Sequence, residues 1–152
     1  MGLIDGGGAG PAIVEAFAAG DSTRMTELLA PDATFHSPVT DYHGRERVTQ
    51  VLSALVQVVT DVQVTSVLDG PEGTAAFFTA AGDGRPADGV LHVLAGPDAP
   101  ATELTLMLRP LKTLHAGIER MKVLLGADPG DLLRPATLAV WPPSARVGGR
   151  PL

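Results

Sequence analysis

DATFHSPVTDYHGRERVTQVLSALVQVV, residues Asp32–Val59, is the stretch on which the fold turns. Ala33–His36 alternates apolar and polar side chains over too few residues for a helix, so it reads as a short strand. Pro38 and Gly44 punctuate Ser37–Gly44 as a loop. Arg45–Val59 then sets Val48, Val51, Leu52, Leu55, Val58 and Val59 on one wide face at helical spacing, which predicts an amphipathic helix. The loop also concentrates acid–base chemistry: His36, Asp41, Tyr42 and His43 lie close together between the strand and the helix. A strand, a polar loop and a long one-sided helix suggest a fold built around a pocket.

Towards the N-terminus, residues 1–10 read as a flexible, Gly-rich lead. Pro11–Ala19 reads as a helix, with Pro in the first turn, Ile13, Val14 and Phe17 at helical spacing, and Gly20 as its stop. Asp21 or Ser22 can cap a second short helix carrying Met25, Leu28 and Leu29, which Pro31 ends.

Four strands are expected after the long helix. Val62–Leu68 has Val62, Val64 and Leu68 on one face. Thr74–Ala81 and Ala87–Ala95 follow, and Thr102–Arg109 alternates Leu104, Leu106 and Leu108 against Thr105, Met107 and Arg109. The intervening segments, DGPEG, GDGRP and GPDAP, are turn chemistry, and turns this short make consecutive strands antiparallel. Leu111–Leu125 closes the series as a helix with Leu111, Leu114, Ile118, Met121 and Leu125 on its apolar side and Gly126 at its end. Residues 127–152 are a Pro/Gly-rich tail in which Leu138–Trp141 could add a strand or a lid, and Trp141 could plug a cavity mouth or anchor the tail.

Helices set apart from an antiparallel sheet make an α+β fold. Twist curves such a sheet, and three to four helices against its hollow side would leave a cone with an internal apolar pocket. The domain then spans residues 11–126.

Composition narrows the function classes. At 152 residues with 45% hydrophobic and 18% charged side chains, the chain is expected to be one globular domain. Its 11 basic and 17 acidic residues leave a net charge of −6, which disfavours nucleic acid and anionic membrane as partners. There is no cysteine, so thiol catalysis and thiolate metal sites are excluded. The opening residues have no basic region or apolar run of a signal peptide, and no stretch is apolar for long enough to span a bilayer. A cytoplasmic location is expected.

The segment AFAAGDSTRMTELLAPDATFHSPVTDYHGRERVTQVL resembles the opening of SnoaL-like proteins of the nuclear transport factor 2-like superfamily. Asp32, Phe35, Ser37, Pro38 and Val39 match the first strand. Tyr42, Gly44, Arg45, Glu46 and Val48 match the entry to the long helix. Gly89, Val90, Glu103, Leu104, Thr105, Met107, Arg109, Pro110 and Leu111 match the closing strands and helix. The resemblance implies a cone fold, dimerisation through the open face of the sheet, and no cofactor. It also implies a range of activities on small molecules, among them polyketide cyclases, steroid isomerases, epoxide hydrolases and dehydratases. One departure stands out. After Gly89-Val90 the family pattern often carries Asp, a natural general base, and this chain has Leu91. His92 follows, but one step along a strand turns a side chain to the other face.

The candidate catalytic residues are therefore His36, Asp41 and Tyr42. A histidine beside a carboxylate titrates near working pH and serves as a general base; Tyr42 or Arg109 would polarise a carbonyl or hydroxyl. The competing reading makes them surface groups that structure a turn. His92, Arg109, Met107 and Phe78 are the candidate substrate-binding residues. His92 could equally pack at the sheet, and Arg109 could equally bridge to Glu103 or Asp88. The four histidines do not have the spacing of a metal site, and Gly6–Gly10 is no phosphate loop, having no strand before it and no lysine after. The expectation is a pocket protein acting on a small apolar oxygenated molecule by acid–base chemistry. The alternatives are a non-catalytic binder of such molecules or a dimeric interaction module.

Overall fold

The computed structural model describes residues 8–126. Trp141 and the Leu138–Trp141 segment lie outside the described residues, as do residues 1–7. The elements run α1 (Ala9–Ala19), α2 (Ser22–Glu27), β1 (Leu29–His36), β2 (Asp41–His43), α3 (Arg45–Val58), β3 (Val59–Gly70), β4 (Gly73–Gly82), β5 (Arg85–Ala95), β6 (Ala101–Arg109) and α4 (Leu111–Leu125). Among the described residues the architecture is α+β: four helices and one curved, unclosed sheet of six strands in the order β2-β1-β6-β5-β4-β3.

The sheet is mixed. Strands β3 to β6 pair antiparallel as their short turns require, but β1 lies parallel to β6, with Phe35 opposite Leu104 and His36 opposite Thr105. The expectation of a wholly antiparallel sheet is corrected there. The chain between β1 and β6 is long enough to return a strand in the same direction, which no short turn permits.

Local signals fix most boundaries. Helix α1 starts at Ala9, two residues ahead of Pro11, and stops where Gly20 takes a left-handed conformation at φ 72°. Asp21 caps α2 by accepting the Arg24 backbone N–H at 3.0 Å. Gly44, at φ 90°, turns the chain into α3, and Arg45 reaches back to donate to the Leu29 carbonyl at 3.3 Å. The predicted face of α3 is the buried one: Val48, Val51, Leu52, Leu55 and Val58.

Three expectations change. Leu28 and Leu29 belong to no helix; β1 begins at Leu29, and Pro31 sits within the irregular stretch between Leu29 and Thr34, where a strand tolerates proline. Asp41–His43 is a strand, not loop, and pairs antiparallel with Thr34–His36. Strand β3 shifts register between Val64 and Ser66, so Val67 takes the inner side beside Ala76, while Leu68 turns outward and is 61% exposed.

The core lies between the sheet's inner face and helices α1 and α3. It holds Ile13, Val14 and Phe17 of α1, Met25 of α2, the α3 face, and Phe35, Phe78, Leu91, Leu104 and Leu106 of the strands. Phe17 meets Phe78 edge to face, centroids 5.1 Å apart. The sheet's other face carries no helix among the described residues.

Candidate functional site

An apolar slot opens where α3, α4 and the β1–β2 hairpin converge. Phe35 of β1 and Leu106 of β6 form its floor. Val51, Leu55 and Val58 of α3, with Val59, form one wall, and Leu114, Gly117, Ile118 and Met121 of α4 form the other. Ser37, Pro38, Val39 and Tyr42 bring the hairpin to its mouth. Gly117 is the point of close helix approach: a Cβ there would lie 3.5 Å from Val58 Cγ1. The cavity volume is about 60 Å³ and its mouth is open to solvent, so a guest of a single small ring fills it and extends through the mouth. Typical ligand pockets run to ~300–1,000 Å³, so a drug-sized guest requires the walls to move. A larger groove of about 540 Å³ lies between the start of α1 and the turns at Asp69–Pro71 and Ala95–Asp98.

Two hydroxyls line the slot. Ser37 spends its hydrogen-bonding capacity on its own loop. Its Oγ donates to the Thr40 carbonyl at 2.7 Å and accepts the Val39 and Thr40 N–H groups at 3.2 and 3.1 Å. Tyr42 is different. Its ring is held between Phe35, stacked at 6.3 Å, and the Arg47 guanidinium, 5.4 Å from the ring centroid. Its hydroxyl makes no hydrogen bond to the described residues and reaches solvent, while the residue as a whole is only 7% exposed. Burial pushes the phenol's pKa up, against a smaller opposing pull from Arg47, so the group stays a neutral O–H.

The structure separates the sequence-predicted residues into two faces. Alternation along β1 and β2 turns Phe35 and Tyr42 inward and His36, Asp41 and His43 outward. His36 therefore does not point into the cone. It bridges two carboxylates on the sheet's outer face, with Nδ1 2.8 Å from Asp41 Oδ1 and Nε2 2.9 Å from Glu103 Oε1. Glu103 and then Asp41 raise its pKa above the ordinary histidine value, against a small lowering by burial. A carboxylate at each nitrogen favours the imidazolium, because only that form donates twice.

None of the four candidate substrate-binding residues lines the slot. His92 lies outward, with Nε2 3.0 Å from the Glu72 carbonyl, closing the β4 turn. Strand β5 has no register shift between Asp88 and Leu94, so Leu91 takes the buried inner position and His92 the outer one. Arg109 pairs with Asp88 at 3.3 Å across β5 and β6 on the exposed face. Met107 is 65% exposed on that face, and Phe78 is a core residue under α1. Sequence reasoning missed the site roles of Ser37–Val39 and of the α4 wall. The α4 signal was present as an apolar helical face, and only its partner was unknown.

The chain matches the model of the SnoaL-like domain family over residues 12–98. No curated protein matches it. Among solved structures it is similar to an uncharacterized protein with a cystatin-like fold from Silicibacter pomeroyi DSS-3. That pair has a TM-score of 0.70, 24% identity, and coverage of 76% of this chain and 83% of the other. A steroid delta-isomerase from Pseudomonas aeruginosa superposes with a TM-score of 0.69 at 26% identity, covering 78% of this chain and 91% of that one. A protein assigned as a SnoaL-like polyketide cyclase, from Shewanella denitrificans OS-217, gives a TM-score of 0.56 at 14% identity over 73% and 94% of the two chains. With a family match across more than half its length and these neighbours in fold, the chain belongs to the SnoaL-like domain family.

Proposed function

We propose that the slot binds a compact, neutral, apolar molecule carrying one oxygen, and that the Tyr42 hydroxyl is its polar anchor. The observation that carries this reading is the lining. Every wall residue is apolar, the Ser37 hydroxyl is committed to its loop, and the Tyr42 O–H retains its donor. No lining residue is charged at neutral pH, so a carboxylate or phosphate guest would be desolvated without a counter-ion. A neutral carbonyl, ester or ether oxygen satisfies the phenol.

Cyclohexanone and its oxygen-free analogue methylenecyclohexane test the reading. Both should shift the methyl signals of Leu55, Leu114 and Ile118, and cyclohexanone should bind the more tightly by roughly 5–10-fold, the worth of one buried hydrogen bond. Tyr42→Phe should remove that preference while keeping the ring stack. Methyl signals unmoved by either compound would overturn the proposal.

The similarity to a steroid isomerase supports a second reading, acid–base catalysis of cyclase, isomerase or hydrolase type. Here Tyr42 polarises the oxygen and His36 or Asp41 is the base, after the hairpin turns one of them inward. Exchange of the α-protons of cyclohexanone in D₂O separates the two readings. Binding alone leaves the exchange rate at its buffer value. Catalysis accelerates it, and His36→Ala and Asp41→Ala each reduce the acceleration by about 10²–10⁴-fold.

A second copy of the chain is the proposed partner on the sheet's outer face. Leu68, Phe77 and Met107 stand exposed there with no helix over them among the described residues.

A further inference from the structure

The outer-face histidine and the slot are joined by one loop. His36 is the last residue of β1 and Asp41 the first of β2, and they are register partners. Between them lies Ser37–Thr40, whose first three residues line the slot mouth. The loop is internally stiff: the Ser37 N–H and Oγ both bond the Thr40 carbonyl, at 3.0 and 2.7 Å. It therefore moves as a unit about its two ends, which the β1–β2 pairing joins through the backbone and the His36 ring joins through Asp41. From the same ring, the contact to Glu103 anchors the hairpin to β6, which has a neighbouring strand on each side.

We infer that His36 is a proton-held clasp on the slot, closed while its imidazolium bridges Asp41 and Glu103 and released when the ring becomes neutral. The inference rests on the binding reading of the slot. A neutral imidazole has one N–H and can serve only one carboxylate. The other then faces a ring lone pair at under 3 Å, and one side must give way. Glu103 stands on a strand paired on both sides, whereas Asp41 opens a three-residue edge strand. Asp41 yields, and with it the Ser37–Thr40 unit and the adjacent Tyr42, so the slot of about 60 Å³ widens at its mouth.

The charged and titratable groups around the ring are few. Asp41 and His43 face it from β2, and Glu103 from β6. His43 is occupied with Thr34, Nδ1 to Oγ1 at 3.2 Å. His92 of β5 is in the same cross-strand row, beyond Thr105, and the Asp88–Arg109 pair lies further along β5 and β6. No lysine or arginine contacts Asp41 or Glu103 among the described residues, so the ring's proton is the cation that joins them.

A pH titration of the full chain by NMR, from roughly pH 5.5 to 8.5, tests the clasp. The His36 ring signal should titrate with a midpoint above that of an ordinary histidine. The Val39 and Thr40 amides should follow the same midpoint, and cyclohexanone should bind at least about threefold more tightly at the alkaline end. His36→Gln should show the alkaline loop positions and the tighter binding at every pH. His43→Gln should leave the titration in place. The inference is overturned if the loop amides do not track His36, if His36→Gln resembles the acid form, if His43→Gln abolishes the titration, or if cyclohexanone binds equally at both ends. In that last case the slot remains a binding site. If cyclohexanone leaves the slot methyls unmoved at every pH, the binding reading fails and the clasp, as a control on binding, fails with it.

Discussion

His36 shows how far a single residue's role depends on which side of a strand it occupies. Its neighbours in sequence suggested a general base. Its place on β1 sets it between two carboxylates on the outer face, which favour its protonated form. The sign of its effect on stability follows. A histidine whose pKa is raised by folding stabilises fully below its unfolded value of about 6.5, and that contribution is lost as pH rises through the higher folded value. The urea midpoint of the wild-type protein should therefore exceed that of His36→Gln at mildly acid pH, and the gap should close above neutrality; a gap that widens with pH would contradict the assignment. Gly73 gives a second test at this scale. Its φ is 113°, and a Cβ would stand 2.6 Å from the Val93 carbonyl oxygen. Gly73→Ala should cost roughly 1–3 kcal/mol in denaturant unfolding, the usual range for a side chain forced into such a conformation against backbone. That Leu91 and His92 face opposite sides was legible beforehand, because strand alternation alone decides it and β5 keeps its register there; which of them faces the core was not. The facing of His36 was open, because a four-residue run with a loop beside it does not say which of its sides is covered.

At the scale of elements, the sequence was read well where the pattern was long. Helix α3 and β6 bury the faces their spacing predicted. Short or interrupted patterns misled. Met25, Leu28 and Leu29 have helical spacing, yet Leu29 starts a strand, since a six-residue helix does not outweigh the pairing of β1 with β6. Three residues are too few for alternation to declare β2. The break in β3 register reversed Leu68, and nothing in the run VQVTSVL marks which residue is extra. Helix α4 was placed correctly but only partly oriented. Leu114, Ile118 and Met121 face the slot, while Leu111 is 64% exposed, because the first turn of α4 overhangs the sheet end where Thr113 bonds the Pro86 carbonyl at 2.7 Å. This orientation makes Gly117 a useful probe. A methyl there meets Val58 at ordinary contact distance. Gly117→Ala should stabilise the protein by up to about 1 kcal/mol through helix propensity and weaken cyclohexanone by narrowing the slot. Thermal unfolding and the NMR titration should therefore move in opposite directions, and tighter cyclohexanone binding in this variant would mean that α4 is not the slot's wall.

For the whole molecule, the covered and uncovered faces of the sheet define two separate problems. The inner face carries the helices, the core and the slot. The outer face carries His36, His92, Arg109 and Met107, the residues that sequence reading had grouped with the ligand. Phe77, Val90 and Met107 are cross-strand partners in one row over β4, β5 and β6, and Leu68 of β3 lies diagonally beside Phe77. The row is flanked by the Asp88–Arg109 pair on one side and by Glu103 and His36 on the other. An apolar centre with a polar rim is the anatomy of a protein interface. A two-fold axis through the row would lay each copy's stripe on the other's, as a closed dimer requires. The full chain should therefore sediment as a dimer at micromolar concentration. Met107→Lys should convert it to a monomer with an unchanged melting profile at high dilution, since the side chain is already solvent-exposed and charge is costly only once a partner covers it. A wild-type monomer at that concentration would leave the outer face unpartnered by a second copy. The slot predictions would stand regardless, since no slot-lining side chain lies on that face.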